Sequence, residues 1–180
     1  MFAKELHVTQ TWDGKPALPS EEAHLFMCVD HKALHVRVQA AFHNDAPPQA
    51  PPGFVQELWE YELVEVFLLG RAGHYLEIEL GPHGHYLVYY LSGVRQVERL
   101  VTPVQVHCAI QGDRWLGEIV IDLDDLPEGL SHVNGYALHG QGAGRRYLAA
   151  NPVGGAAPDF HQPQDFLVLE DLMDWSPSEG

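Results

Sequence analysis

Apolar and polar residues alternate with a period of two along most of this chain, which is the spacing of a β-strand with one buried face. Short clusters rich in Gly, Pro, Asp and Ser separate the alternating runs and have the composition of hairpin turns. The pattern predicts strands at 6–11, 24–29, 33–42, 58–69, 74–80, 85–91, 94–100, 104–110, 115–121, 135–140 and 166–169.

The sequence predicts helical structure only at 122–126, where we expect one turn of 3₁₀ or α helix. Short strands that recur every 8–12 residues or so are typical of antiparallel sandwiches and barrels. The segments 58–69 and 86–91 are apolar on both faces, which places them at the centre of a sheet. We predict one all-β domain at 1–170, followed by an acidic tail at 171–180.

The composition of two long segments predicts loops. The first, 44–56, contains four prolines and cannot be a central strand, because proline has no N–H for the hydrogen-bond ladder. The second, 151–164, is rich in Pro and Gly and carries Phe160 and His161. Loops of this length in a compact domain often form or cover a binding site, so we predict a functional role for the second.

Acidic residues lie on the same strand faces as aromatic ones. Alternation puts Trp59, Tyr61 and Glu65 on one face of the strand 58–69, and it puts Tyr75, Glu77 and Glu79 on one face of the next strand. An acid among apolar neighbours needs a partner, a cation or water, because a buried unpaired carboxylate is costly. The face is either a polar surface that grips a ligand or a solvated outer face.

The charge balance limits the classes of molecule that the chain is expected to bind. With 25 acidic residues against 10 Lys and Arg, the formal net charge is −15, which repels nucleic acid and anionic membranes. We therefore predict neither as a partner, although an acidic surface also serves solubility alone. The start of the chain has no apolar run of a secretory signal, so we expect a cytoplasmic protein. The two cysteines, Cys28 and Cys108, are expected to be free thiols, and a single disulfide between them is the alternative. The histidines show no metal-binding spacing, and no cofactor is predicted from them.

Several motifs together resemble the UPF0462 family, a resemblance that covers most of the chain and implies no activity. The motifs are Trp12-Asp13-Gly14, Glu57-Leu58-Trp59, Tyr61-Glu62, Val64-Glu65, Tyr75-Leu76-Glu77, Glu79-Leu80, Pro82-His83-Gly84, Leu91-Ser92-Gly93, His139-Gly140, Arg145, Tyr147 and Pro158-Asp159-Phe160-His161.

A more distant resemblance is to the family 9 carbohydrate-binding modules and the wider DOMON-like β-sandwiches. It rests on Val64-Glu65-Val66-Phe67, the hairpin 75–84, the segment 115–126 and the spacing of Phe160-His161 to Pro163 and Phe166. The resemblance implies a two-sheet, jelly-roll-like antiparallel β-sandwich with a ligand face on one sheet. Such modules hold a sugar between tryptophans, often with a structural calcium ion, and other relatives bind haem.

We accordingly predict a non-catalytic binding domain for a saccharide or a similar polar small molecule, held on the concave sheet and closed by the late loops. Aromatic faces suit the apolar C–H faces of sugars, and carboxylates and arginine suit their hydroxyls. The candidate ligand-binding residues are Trp59, Tyr61, Glu65, Tyr75, Glu77, Glu79, His83, His139, Arg145, Tyr147 and His161.

Two alternatives remain open. One is a glycoside-active enzyme, because Glu65, Glu77 and Glu79 could supply carboxyl pairs about 5–9 Å apart, as acid and nucleophile require. The other is a structural or protein-interaction domain in which Glu65, Glu77 and Arg145 form a buried network. The sequence leaves the ligand's identity and the oligomeric state open.

Overall fold

Fourteen β-strands form two sheets in the computed structural model, which describes residues 2–169. In chain order the strands are β1 (Phe2–Val8), β2 (Gln10–Thr11), β3 (Ala23–Val29), β4 (Ala33–Ala41), β5 (Gly53–Phe54), β6 (Leu63–Leu69), β7 (Tyr75–Leu80), β8 (His85–Leu91), β9 (Val97–Leu100), β10 (Gln105–Gln111), β11 (Arg114–Asp122), β12 (His132–His139), β13 (Arg146–Ala149) and β14 (Leu167–Val168).

The two sheets have five and nine strands. The five-stranded sheet has the order β1-β3-β4-β11-β10, and the nine-stranded sheet has the order β2-β13-β12-β6-β7-β8-β5, with β14 paired to β12 and β9 to β8. Pairing is antiparallel except between β5 and β8. The predicted all-β antiparallel sandwich is confirmed, and β6 lies at the middle of its sheet as predicted. Strand β8 was also predicted to be central, but it lies next to the edge, with β7 on one side and the short strands β5 and β9 on the other.

The main core lies between the sheets. Leu25 and Val36 come from the five-stranded sheet, Val66 and Ile78 come from the nine-stranded sheet, and Trp115 is buried with them. Each side chain reaches this layer because alternate residues of a strand point to the same face. The core therefore holds the nine-stranded sheet as a fixed platform.

A second apolar cluster covers the opposite face of the nine-stranded sheet, which we call the distal face. It contains Phe67, Tyr75 and Tyr136 from the sheet, together with Phe160 and Phe166 from the long segment after β13. The ring of Phe160 stacks on that of Tyr136, with centroids 3.8 Å apart. The predicted loop 151–164 thus packs onto the sheet, and the central strands are buried on both faces.

The predicted strand 58–69 begins too early. Leu58–Glu60 forms a 3₁₀ turn, and the strand starts at Leu63. The cause is Glu57, whose φ of 57° lies in the left-handed region and turns the chain out of the extended conformation. Strand alternation therefore does not determine the direction of Trp59 or Tyr61.

Other strand boundaries also needed correction. The predicted strand 6–11 is divided between β1 and β2, which belong to different sheets. The predicted strand 94–100 begins at Val97, because Arg95 has a φ of 58° within a turn. Strands β5 and β13 were not predicted, whereas the 3₁₀ turn Leu123–Asp125 confirms the predicted turn at 122–126.

Three further predictions concern the chain as a whole. Cys28 and Cys108 are both free thiols in the structure. Within residues 2–169, none of the helical segments has the length and apolar character needed to cross a membrane. The predicted tail at 171–180 lies outside the described residues.

Candidate functional site

A cleft of about 750 Å³ opens on the distal face, and we call it the distal cleft. Its floor comes from β6, β7 and β8, and its walls come from the 3₁₀ turn before β6, the turn before β9, the bend after β12, and the loop after β13. The lining residues are Trp59, Glu60, Glu65, Phe67, Glu77, Tyr89, Leu91, Arg95, Val97, Leu138, Gly140, Gln141, Gly142, Arg145, Tyr147, Pro158, Phe160 and His161.

Three buried glutamates lie together at the floor. Glu65 is directly opposite Glu79 in the β6–β7 register, and Glu77 is two residues before Glu79 on the same face. Their exposed fractions are 3%, 0% and 5% for Glu65, Glu79 and Glu77. Among the described residues, no group other than a neighbouring carboxyl can be a hydrogen-bond partner of either carboxyl oxygen of Glu79. No Lys or Arg in the part of the chain that the structure describes lies within ion-pair distance of these three carboxyl groups, and the imidazole of His161 lies 3.6 Å from Glu77.

Burial raises the pKa of all three acids. For Glu77 the pKa rises to about 7, mainly because burial penalises the charged form, and the positive charge of Arg95 limits the rise. The pKa values of Glu65 and Glu79 lie well above the ordinary value, because of burial first and the neighbouring glutamates second. Burial therefore favours the protonated form of Glu65 and Glu79, and in that form each carboxyl can donate a hydrogen bond as well as accept one.

His161 connects the loop after β13 to this floor. Its Nδ1 lies 2.7 Å from the hydroxyl of Tyr75, and its Nε2 lies 3.6 Å from Oε1 of Glu77. The Tyr75 hydroxyl accepts the backbone N–H of Arg95 at 3.1 Å and has one proton to donate. Donation of that proton to Nδ1 assigns the imidazole proton to Nε2, facing Glu77. Burial, followed by the charge of Arg95, lowers the pKa of His161 to about 4, so the ring is neutral.

Arg145 holds two walls of the cleft together. Its guanidinium donates to the carbonyl oxygens of Trp59 and Tyr61, each at 2.7 Å, and to that of Gly140 at 2.9 Å. Gly140 has a φ of +76°, and a Cβ there would lie 2.5 Å from the carbonyl oxygen of Gly144, so the bend requires glycine. The partners of Arg145 are thus backbone carbonyls, where the sequence predicted a glutamate or a ligand group.

Sequence comparison gives a family. The chain is 33% identical over 200 aligned residues to the UPF0462 protein C4orf33 homolog of Danio rerio, with 98% of this chain and 95% of that protein covered. This chain belongs to the UPF0462 family. No family model matches it. The family resemblance stated from the motifs is confirmed.

Structural comparison supports the fold. The structure is similar to that of a candidate carbohydrate-binding protein from Bacteroides uniformis, with a TM-score of 0.65, 17% identity, and 92% of this chain and 84% of that chain covered. It is also similar to a family 9 carbohydrate-binding module from Caldicellulosiruptor kristjanssonii in complex with cellotriose, with a TM-score of 0.50, 15% identity, and 75% and 68% covered. At these identities the likeness shows a shared β-sandwich fold.

The structure brings six of the eleven predicted residues to the lining of the distal cleft: Trp59, Glu65, Glu77, Arg145, Tyr147 and His161. Two more, Tyr75 and Glu79, are fully buried directly beneath it. Tyr61 is half-buried against the apolar cluster of the distal face, and only its carbonyl oxygen contacts Arg145.

The other two predicted residues lie elsewhere. His83 packs edge-on against Phe42, with ring centroids 5.8 Å apart. His139 stacks on His43 at 3.5 Å, and its Nε2 lies 3.1 Å from Oε1 of Glu21. His139 precedes Gly140, which lines the cleft, but its own side chain points to this separate cluster.

Sequence reasoning missed Arg95 and most of the apolar wall. Arg95 lies in the turn before β9, where its guanidinium donates to Asp159 at 2.7 Å and so ties that turn to the loop bearing His161. The left-handed backbone conformation of Arg95 leaves no signal in the amino-acid sequence, and its partner Asp159 is 64 residues away along the chain. Phe67 could have been found, because alternation already placed it beside Glu65.

Proposed function

We propose that the distal cleft binds a saccharide or a similar polar small molecule without changing it chemically. The observation that carries the proposal is the meeting, in one open cleft, of aromatic walls and buried acids whose pKa values burial raises. Trp59, Tyr147 and Phe160 line the walls, and Glu65 and Glu77 lie at the floor.

The chemistry of a sugar fits both parts. A pyranose has apolar C–H faces that pack against aromatic rings, and Trp59 offers such a surface with 36% of its area exposed. Sugar hydroxyls both donate and accept hydrogen bonds, and a protonated carboxyl such as that of Glu65 does the same. The neutral imidazole of His161 adds a further polar group to the lining.

The structural relatives support this choice of ligand. Of the two similar structures, one is of a candidate carbohydrate-binding protein, and the other is a carbohydrate-binding module with cellotriose bound. A shared fold does not by itself transfer a ligand, so the proposal depends on the residues of this cleft.

The test is a thermal-melt panel of mono- and oligosaccharides. A ligand at 100 times its Kd adds about 2.7 kcal/mol, which raises the Tm by roughly 5–10 °C in a domain of this size. We expect a shift of this kind with one saccharide class, and we expect Trp59→Ala to abolish it.

Phe26→Ala is the matched control for that panel. Phe26 is a 38% exposed aromatic residue on the five-stranded sheet, so its removal should leave the shift intact. A flat panel with the wild-type chain would contradict the saccharide proposal and favour a structural or protein-interaction domain.

A second candidate function, hydrolysis of a glycoside, is favoured by one observation. The pKa of Glu77 is raised to about 7, which is the property of a general acid, and Glu65 lies opposite Glu79 at the close spacing of cross-strand neighbours. If the cleft is catalytic, incubation with a bound oligosaccharide yields shorter products, and Glu65→Gln abolishes their formation while the fold and the melting shift persist. Recovery of the intact oligosaccharide after prolonged incubation would exclude this function.

A further inference from the structure

We propose that Glu5, His7 and His24 form a transition-metal site on the outer face of the five-stranded sheet. His7 on β1 lies directly opposite His24 on β3 in the antiparallel register, and Glu5 is two residues before His7 on the same face. One ligand atom from each of the three side chains lies within 4.8 Å of the other two. This site is on the other sheet from the distal cleft and is independent of it.

The separations are close to those of a bound metal. The Nε2 atom of His7 is 3.5 Å from Oε1 of Glu5, and the Nδ1 atom of His24 is 4.0 Å from the same oxygen. Two ligands that are each about 2.0–2.1 Å from a tetrahedral zinc ion lie roughly 3.3 Å apart. Metal binding therefore requires the ligand atoms of the three side chains to approach one another by small distances, which range from a fraction of a bond length to about one bond length.

The backbone holds the three residues in register, and the side chains are free to make that movement. Residues Phe2–Val8 pair with Ala23–Val29 along the whole of β1. The side chains of His7, Glu5 and His24 are 51%, 56% and 36% exposed, so small rotations meet little resistance. The two imidazole rings already meet edge to face, with centroids 4.7 Å apart.

The donor set selects the class of metal. Two imidazoles and one carboxylate suit Zn²⁺, Co²⁺, Ni²⁺ and Cu²⁺, whereas Ca²⁺ and Mg²⁺ prefer ligand sets made of oxygen. Three protein ligands leave at least one coordination position for water or an exchangeable group. The competing cation nearby, Arg37, is occupied by Glu118, whose Oε1 is 2.8 Å from its Nε.

Because of the position of the site, a bound metal would affect both the edge of the sheet and the neighbouring groove. Strand β1 is an edge strand whose sheet partner is β3, so a metal shared by the two strands would fasten that edge to the sheet. Glu5 and His24 also line a groove of about 480 Å³ that runs across this face past Phe26 and Leu116. An exchangeable coordination position would therefore adjoin the groove.

The test uses the tag-free chain with Zn²⁺ in calorimetry and with Co²⁺ in visible absorption, where inner-sphere ligands change the spectrum. We expect one equivalent of metal to bind per chain, with a Tm increase of roughly 5–10 °C at 100 times the Kd. His7→Ala and His24→Ala should each weaken binding by at least about tenfold, and Glu5→Gln should also weaken it. Unchanged Tm values of these variants without metal will show that the fold is retained.

His107→Ala is the matched control, because His107 is an exposed histidine on β10, at the opposite edge of the same sheet face. It should leave affinity and stoichiometry unchanged. The proposal is overturned if Zn²⁺ shows no saturable binding, or if the His7 and His24 variants bind as tightly as the wild type. Full affinity in Glu5→Gln would overturn the three-ligand site, since it would leave only a histidine pair.

Discussion

Glu79→Gln is expected to remove a large part of the loss of stability that the wild-type chain suffers as pH rises above neutrality. Glu79 is fully buried, and its oxygens have no partner other than an acid among the described residues, so burial raises its pKa and favours the protonated form in the folded state. In the unfolded chain a glutamate releases its proton near pH 4.3. Glutamine keeps the shape and the hydrogen-bonding capacity and has no proton to release.

The direction of the effect follows from the raised pKa. A carboxyl whose folded pKa exceeds its unfolded pKa contributes its full stability below the unfolded value, and that stability is lost as pH rises toward the folded value. The loss is about 1.4 kcal/mol per pH unit for each such group. Glu77, with a pKa of about 7, and Glu65 contribute in the same direction.

Buried histidines oppose this trend at lower pH. The pKa values of His43 and His161 are lowered to about 4, chiefly by burial, so the folded state loses stability as pH falls from about 6.5 toward 4. The rings are largely neutral in both states only at about pH 7.5 and above. The difference between the wild type and Glu79→Gln cancels this contribution, because both chains carry the same histidines.

Urea unfolding at pH 6.5, 7.5 and 8.5 measures the effect. The free energy of unfolding of Glu79→Gln should gain on that of the wild type as the pH rises, by at most about 1.4 kcal/mol per pH unit, the limit for one proton. Glu118→Gln is the control, since the pKa of Glu118 is lowered by Arg37 and its contribution is constant in this window. Parallel curves for the wild type and Glu79→Gln would show that Glu79 is ionised in the folded protein.

The fold was largely predictable because burial of one strand face leaves a period-two signal. In β7, Leu76, Ile78 and Leu80 alternate with Glu77 and Glu79 and belong to the core between the sheets. The period cannot specify the sheet to which a strand belongs, so it does not show that the segment 6–11 passes from one sheet to the other at Thr9. Left-handed residues other than glycine, such as Glu57, also leave no compositional signal at a strand boundary.

The site was predictable where alternation alone positions the side chain. Alternation places Glu65 and Glu77 on the sheet face that forms the floor of the cleft, where the structure has them. Trp59 lines the cleft for a different reason, because it lies on a 3₁₀ turn that Arg145 fixes in place. The ion pair of Arg95 with Asp159 and the packing of His139 on His43 join segments that are distant in sequence, so only tertiary structure reveals them.

Arg145→Ala is expected to destabilise the chain by roughly 2–4 kcal/mol and to weaken ligand binding in the distal cleft, because hydrogen bonds from a charged donor contribute about 1.5–3 kcal/mol each where they are buried. Arg145 makes three of them, and part of their value is recovered by water at the exposed carbonyl of Trp59. Without the guanidinium, the bend at Gly140 and the turn bearing Trp59 lose their direct connection. The two walls of the cleft then move independently.

Urea unfolding checks the stability, and the change in tryptophan emission on Arg145→Ala, compared with the change in a chain that also carries Trp59→Phe, isolates Trp59 among the four tryptophans. Arg37→Ala is the control. Arg37 makes one ion pair, with Glu118, and its side chain is 58% exposed, so its loss should cost less than about 1 kcal/mol. A difference between the two arginine variants excludes the loss of net charge as the cause and points to the local contacts of Arg145, since both variants remove one positive charge from an acidic chain. If Arg145→Ala is as stable as Arg37→Ala, the turn at Trp59 is held by the apolar packing of Leu58 beneath it, and the aromatic wall of the cleft does not depend on Arg145.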